Sequence, residues 1–288
     1  MNDGVWAVRS GEERMREYEK GLRRAEIPTT RISGSGRVAL PGLGEVRVSG
    51  SGYISPEEIG VSGSGRLPGG IRVERMRCSG SVTVGGDVEA EEMVFSGSAS
   101  VLGGVRAGRL SASGSFKAEG GLAGGSMRFS GSCRIGGDVH LEDSLVAHGA
   151  LRVSGDVSVR GLVELEGSFD VDGKVRADTF KAELRRSRSR VGKGIQADRV
   201  EVRKGRGVDG FVLFGIPILG RRLREGELHT TDIVGRERVY LENVHCDNVT
   251  GGDVVLGEGC EVRGRVRYSG TIEVHPEAKV TNPPERVG

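Results

Sequence analysis

The sequence predicts an all-β protein, a single-stranded, three-faced parallel β-helix of about a dozen coils with a short N-terminal helix. Three observations predict this fold. The tripeptide Ser-Gly-Ser recurs at nearly constant intervals. Apolar residues keep fixed positions relative to each copy, in pairs separated by two residues. Finally, 50 of the 288 residues are glycine and only 4% are aromatic, which is typical of a narrow, quasi-one-dimensional core.

The tripeptide defines the repeat. Its central glycine recurs at intervals of 16, 13, 17, 17, 17, 17, 18 and 18 residues, the last two copies being degenerate. A period of this kind indicates stacked structural repeats. We expect each of these glycines to occupy a corner of a coil, where a positive φ favours glycine. The corner glycines are Gly34, Gly50, Gly63, Gly80, Gly97, Gly114, Gly131, Gly149 and Gly167.

Six apolar columns accompany the glycine. They lie four and two residues before it and two, four, eight and ten residues after it; around Gly97 they are Met93, Phe95, Ala99, Val101, Val105 and Ala107. A spacing of two is the strand period, so each unit is predicted to carry three short strands. A flexible Gly/Ser linker has no reason to keep six columns in phase, and the short period of calcium-binding β-rolls is absent.

Changes in this pattern divide the chain into five segments. Residues 10–24 are predicted to form a helix, because Ser10 and Glu13 have capping-box spacing. This helix is expected to cap the first coil, with a partner or membrane contact as the alternative. The segments are 1–26 with that helix, the β-helix of about 17-residue coils at 27–204, an apolar and basic insertion loop at 205–230, further β-helix coils at 231–282, and a tail at 283–288.

The chain resembles the bactofilin family of polymer-forming cytoskeletal proteins. The resemblance covers residues 30–280 and is carried by the repeat units, such as SGSVTVGGDVEAEEMVFSGS, and by the tail VYLENVHCDNVTGGDVVLGEGCEVRGRVRYSGTIEVHPEAKV. It implies a right-handed β-helix, end-to-end filaments formed without nucleotide, and a scaffolding role in bacteria, often at the membrane. The chain is longer than the short family type and is interrupted at 205–230, so the family's polymerisation surfaces are not transferred to its residues.

Self-association is also expected on physical grounds. The last coil of a rod presents unpaired backbone N–H and C=O groups, which are a template for another chain. We therefore predict a structural, self-polymerising cytoskeletal scaffold that assembles through its β-helix ends and has itself as its main partner. The alternative is a non-polymerising β-helical module that recruits membrane or a protein through residues 181–226.

Residues 181–226 are unusual in both charge and hydropathy. They hold 13 Lys or Arg and five Asp or Glu, a local charge of +8 in a chain of net charge +2. Their apolar run at 211–219 is too short to span a bilayer, but beside basic residues it suits an anionic lipid surface. Packing against the rod or a sister protomer is the competing interpretation. The candidate contact residues are Phe211, Phe214, Ile216, Ile218, Arg185, Arg186, Arg188, Arg190, Lys193, Arg221, Arg222 and Arg224.

The sequence favours neither catalysis nor nucleic-acid binding. It contains no Walker sequence, no Gly-x-Ser-x-Gly elbow and no His-Glu-x-x-His motif, so we expect no enzyme activity, no cofactor and no metal. Few aromatic residues accompany the basic cluster, which argues against a nucleic-acid partner. Residues 1–9 have no apolar signal-peptide core. We therefore predict a cytoplasmic protein, and the resemblance adds a peripheral position at the inner face of the membrane.

The spacing and positions of the cysteines indicate that they have structural rather than chemical roles. None forms a Cys-x-x-Cys pair, and Cys78, Cys133 and Cys260 are expected to be small buried hydrophobes. The adjacent residues His245 and Cys246 are weak evidence for a metal site.

Overall fold

The computed structural model describes residues 27–185, 187–205, 211–213, 216–218 and 226–287, with the backbone alone for 211–213 and 216–218. Every element among them is a β-strand, and 23 strands form one continuous sheet. The sheet winds into a solenoid of about 12 turns whose successive coils pair with one another. The predicted all-β repeat architecture is therefore confirmed. The predicted N-terminal helix lies outside the described residues.

The first eight strands carry most of the Ser-Gly-Ser repeats. From β4 to β8 each strand continues through two corners of its coil and ends at the corner six residues after the glycine, rather than forming three short strands. These strands are β1 (Thr30–Leu40), β2 (Gly44–Ile54), β3 (Glu58–Leu67), β4 (Ile71–Val84), β5 (Val88–Val101), β6 (Val105–Ala118), β7 (Leu122–Ile135) and β8 (Val139–Val153).

The remaining strands are shorter, because more of the corners interrupt them. They are β9 (Val157–Val159), β10 (Leu162–Val171), β11 (Val175–Arg176), β12 (Thr179–Leu184), β13 (Arg188–Val191), β14 (Ile195–Lys204), β15 (Phe211–Leu213), β16 (Ile216–Ile218), β17 (Glu227–Thr230), β18 (Asp232–Leu241), β19 (Val244–Cys246), β20 (Asn248–Leu256), β21 (Glu261–Val262), β22 (Val266–Tyr268), β23 (Ile272–Val274), β24 (Lys279–Val280) and β25 (Glu285–Arg286).

The predicted corner glycines form one continuous ladder. All nine are paired in register from Gly34 to Gly167, and their φ angles lie between 89° and 127°. A Cβ built on Gly114 would lie 2.3 Å from the carbonyl oxygen of Gly97, one coil below. Glycine is therefore required for two reasons: it tolerates the positive φ, and it allows successive coils to approach closely.

The first two repeats do not form parallel coils, which corrects the predicted β-helix boundary at residue 27. Strand β1 pairs antiparallel with β2, and β2 pairs antiparallel with β3; parallel stacking begins between β3 and β4. Gly34, Gly50 and Gly63 still face one another across these pairs. The chain can reverse because the repeat is nearly symmetric about its glycine, so inward positions remain inward in either direction.

A second glycine in each of the first three repeats accompanies this reversal. It lies two residues after the corner glycine, at Gly36, Gly52 and Gly65, where later repeats carry larger residues. A Cβ on Gly36 would lie 2.8 Å from the side chain of Ile32, and one on Gly65 would lie 2.9 Å from Val61. The β-branched residue two positions before the corner glycine fills the space inside the corner. No room remains there for a side chain at the position two residues after the glycine.

In several parallel coils, one large and one small side chain share this corner. Phe116 lies opposite Ala112 across Gly114, whereas in the flanking coils the order is reversed, with Phe95 and Phe129 before the glycine. All four of these side chains are buried. The ring centroid of Phe116 lies 5.8 Å from that of Phe95 and 5.3 Å from that of Phe129, so the rings form a continuous aromatic column.

Carboxylates close the corner that carries the Gly-Gly-Asp motif. Oδ1 of Asp87 accepts a hydrogen bond from the backbone N–H of Gly104, at 2.7 Å. Oδ1 of Asp138 accepts one from Asp156, and Oδ1 of Asp156 accepts one from Lys174, both at 2.8 Å. Each bond joins one coil to the next. The aspartate at this corner therefore stabilises the stacking of one coil on the next.

A buried hydroxyl accompanies the irregularity between β12 and β14. Ser189 is fully buried in β13, at an inward position that is apolar in other coils. Its Oγ accepts a hydrogen bond from the backbone N–H of Phe169, at 3.2 Å. The hydroxyl satisfies a buried donor, which would be costly to leave unpaired. The inward apolar columns continue after this point, because Val191, Ile195, Ala197, Val200 and Val202 are all buried.

Candidate functional site

The C-terminal end of the solenoid is open within the described chain. Strand β23 pairs with β20, β24 with β21, and β25 with β22. No described strand pairs with their other side. Because alternate residues of a strand direct N–H and C=O groups to opposite sides, this end presents a row of unpaired backbone groups.

The hydrophobic core is also incompletely covered at this end. In the preceding coil Val254, Leu256 and Val262 are completely buried. In the last coil Val274 is 43% exposed, and Ile272 is only partly buried against the core. The same column of side chains therefore passes from full burial to exposure within one coil, so the last coil presents both apolar surface and unpaired backbone.

The opposite end differs. Strand β1 pairs with β2 on one side, and no described strand lies on its other side. Its inward residues Ile32, Val38 and Leu40 are nevertheless buried. Among residues 27–287 that the structure describes, this end therefore has a backbone edge without a partner strand but a buried core, so it differs from the C-terminal end.

The flanks of the solenoid carry paired charges on successive coils. Arg72 lies 3.4 Å from Glu89 and Arg77 lies 3.4 Å from Glu92. Such exposed pairs contribute little to stability, but they keep the flanks hydrated. Among the described residues the large apolar side chains with substantial exposure are Leu102, Val274 and Val287. Two of these three lie at the C-terminal end, and Leu102 is isolated on the flank.

The predicted basic cluster is largely neutralised where its side chains are described. Arg185 pairs with Glu166 and with Glu183. Arg188 donates to Oε1 of Glu227 at 2.6 Å, and Arg190 pairs with Asp170 at 3.0 Å and with Asp172. Lys193 is exposed. These pairs were not predicted from the sequence, because most of the acidic partners lie one coil away rather than nearby in the chain.

The predicted insertion loop contains a β-hairpin. Strands β15 and β16 pair antiparallel, with Phe211 opposite Ile218 and Leu213 opposite Ile216. They form a separate two-stranded sheet. Of the other predicted contact residues, Arg186, Phe214, Arg221, Arg222 and Arg224 lie outside the described residues, so the contact surface stays a prediction.

All four cysteines are buried, as predicted for Cys78, Cys133 and Cys260. Burial raises the pKa of Cys78 to about 12 and that of Cys260 to about 11. It raises the pKa values of Cys133 and Cys246 as well. The thiolate form, which binds metals and reacts with electrophiles, is therefore suppressed at all four positions.

His245 and Cys246, whose adjacency was only weak evidence for a metal site, do not face the same side of their strand. Neighbouring residues of a strand point to opposite faces, and Cys246 is buried while His245 lies on the outer surface of β19. His245 instead stacks on His229 of the previous coil, with the ring centroids 4.7 Å apart. Glu227 completes a group of three potential metal ligands. The 16-residue separation of the two histidines, one coil length, was the signal available in the sequence.

No family model, curated protein or solved structure matches the chain. Among the described residues, no helix has the length and hydropathy needed to cross a membrane.

Proposed function

We propose that the protein is a structural scaffold that assembles with itself through the ends of its solenoid. The observation that carries this proposal is the open last coil, where Val274 is 43% exposed and strands β23, β24 and β25 each lack a described partner on one side. Stacking a second protomer there would cover apolar surface and pair backbone groups in one step.

The flanks support the same conclusion. Their charges are paired across coils, as in Arg152 with Asp170 at 3.6 Å and Arg72 with Glu89. Hydrated, locally neutral flanks favour association at the ends over lateral aggregation. The resemblance of the repeat and tail to bactofilins also implies end-to-end assembly without nucleotide.

A polymer needs two contacts per protomer. We propose that the first is the last coil and the second is the outer edge of β1, which no described strand occupies. If the predicted helix at residues 10–24 caps the first coil, it gates this second contact. The alternative role, recruitment of membrane or a partner by residues 181–226, has weaker support because Arg185, Arg188 and Arg190 already pair with carboxylates.

The substitution Val274→Arg tests this proposal. An arginine at the open end would place a charge in the contact, and we expect assembly to require at least about a tenfold higher concentration, equivalent to roughly 1.4 kcal/mol. Sedimentation velocity of the full chain without nucleotide measures this shift. If the C-terminal end binds the β1 end, the variant sediments as a monomer; if each end binds its own kind, it sediments as a dimer.

The matched control is Leu102→Arg, which adds the same charge at an exposed leucine on the flank. We expect this variant to assemble as the unmodified chain does. Equal assembly of both variants and the unmodified protein would show that the last coil is not the contact.

A further inference from the structure

Outward side chains of β17, β19 and β21, the strands that stack in succession next to β13, lie close together. Arg190 of β13 is in register with His229 of β17, His229 with His245 of β19, and His245 with Glu261 of β21. Glu227 lies two residues before His229 on the same face of β17. The solenoid thus brings together two imidazoles and two carboxylates.

The arrangement of the inner three residues is compact. Nε2 of His229 lies 3.3 Å from Oε1 of Glu227, and Nε2 of His245 lies 3.9 Å from Oε2 of the same carboxylate. The two rings are almost parallel, at an interplanar angle of 6°. One potential ligand atom from each of the three residues lies within 4.8 Å of the others. Such a group occurs once in the part of the chain that the structure describes.

The Nε2 nitrogen of His229 has no well-aligned partner in this arrangement. This atom is shielded from solvent and makes no hydrogen bond of acceptable geometry, despite its proximity to Glu227. A buried polar atom without a partner is costly. A cation bound between Nε2 and the carboxylate would remove that cost.

The surrounding residues orient these ligands. Nδ1 of His245 lies 3.4 Å from Oε2 of Glu261, the position of the carboxylate that holds the second nitrogen of many metal-binding histidines. Arg188 donates to Oε1 of Glu227, which leaves Oε2 towards His245. The charge of Arg190 is compensated by Asp170 and Asp172.

We propose that Glu227, His229 and His245 bind a divalent first-row transition metal of the zinc class. Two imidazoles and one carboxylate are a common zinc donor set, with the fourth position left to water or to another ligand. Ligand atoms in such a site lie roughly 3.3–3.5 Å apart. Those of Glu227, His229 and His245 lie within 4.8 Å of one another, so the two partly exposed rings need to turn towards each other to bind one ion. The proposal does not depend on self-assembly.

Titration of the metal-stripped full chain with ZnCl₂ by calorimetry tests this site, with CoCl₂ as a spectroscopic probe. We expect one saturable Zn²⁺ site per chain and the visible absorption of four-coordinate Co²⁺. His229→Gln and His245→Gln are each expected to weaken Zn²⁺ binding by at least about tenfold and to abolish the Co²⁺ band. Glu261→Gln is expected to weaken binding by about 10- to 100-fold.

His148→Gln is the matched control. Nδ1 of His148 lies 3.3 Å from Oε2 of Glu166, but His148 has no stacked histidine in the next coil, where Glu166 is its register partner. This variant is expected to bind Zn²⁺ as tightly as the unmodified protein. Far-UV circular dichroism verifies that each variant keeps its strands. The proposal is overturned by the absence of saturable Zn²⁺ binding, or by unchanged affinity in both histidine variants.

Discussion

Replacing Gly114 by alanine is expected to destabilise the solenoid by about 3 kcal/mol or more. The added Cβ would lie 2.3 Å from the carbonyl oxygen of Gly97 and 3.1 Å from its carbonyl carbon. These are backbone atoms, which cannot move aside without separating the coils. The residue also has a φ of 109°, which alanine adopts only with strain. The steric and conformational costs therefore add.

Urea unfolding followed by circular dichroism measures this effect. The matched control is Gly104→Ala, because Gly104 has no positive φ and the nearest atom to its added Cβ is 3.5 Å away, an ordinary contact. We expect Gly104→Ala to change stability by less than about 1 kcal/mol. Equal unfolding midpoints for the two variants would contradict the ladder of close-packed glycines.

Replacing Phe116 by alanine is expected to cost about 3–5 kcal/mol. Its ring is buried and contacts the rings of Phe95 and Phe129 in the neighbouring coils. Its partner across the corner, Ala112, is too small to fill the cavity. Because a solenoid is stabilised by contacts between neighbouring repeats, we expect the loss to affect both adjacent interfaces.

Thermal and urea unfolding test this expectation against Leu102→Ala. Leu102 is 54% exposed, so its truncation removes apolar volume without opening a cavity and should change stability by less than about 0.5 kcal/mol. A similarly small effect for Phe116→Ala would mean that the aromatic column does not stabilise the stacking of coils.

The inward columns could be predicted because each coil repeats the same constraint. A side chain at a given distance from the corner glycine always points inward, so Met76, Met93 and Leu110 are buried alike. The reversal of the first two repeats was not predicted, although the intervals of 16 and 13 residues and the glycines at Gly36 and Gly52 were visible. Because the repeat is nearly symmetric about its glycine, the apolar residues point inward whichever way the strand runs. Periodicity alone therefore does not determine strand direction.

The sites were predicted less well, because they depend on which coil follows which. The neutralisation of Arg188 and the stacking of His229 on His245 join residues 39 and 16 positions apart. The first of these separations becomes a contact because β17 stacks on β13 across the interruption in the repeat. An open last coil was expected, since any rod has ends. The difference between the two ends, with Val274 exposed at one and Ile32 buried at the other, was seen only in the structure.

Negative-stain electron microscopy of the purified full chain, without nucleotide, tests the proposed scaffold role most directly. A solenoid of about 12 turns is a rod on the order of 60 Å long. Association through its ends predicts unbranched filaments one solenoid wide and many rods long. Discrete particles of one rod length, at concentrations where the protein is otherwise stable, would contradict the proposal.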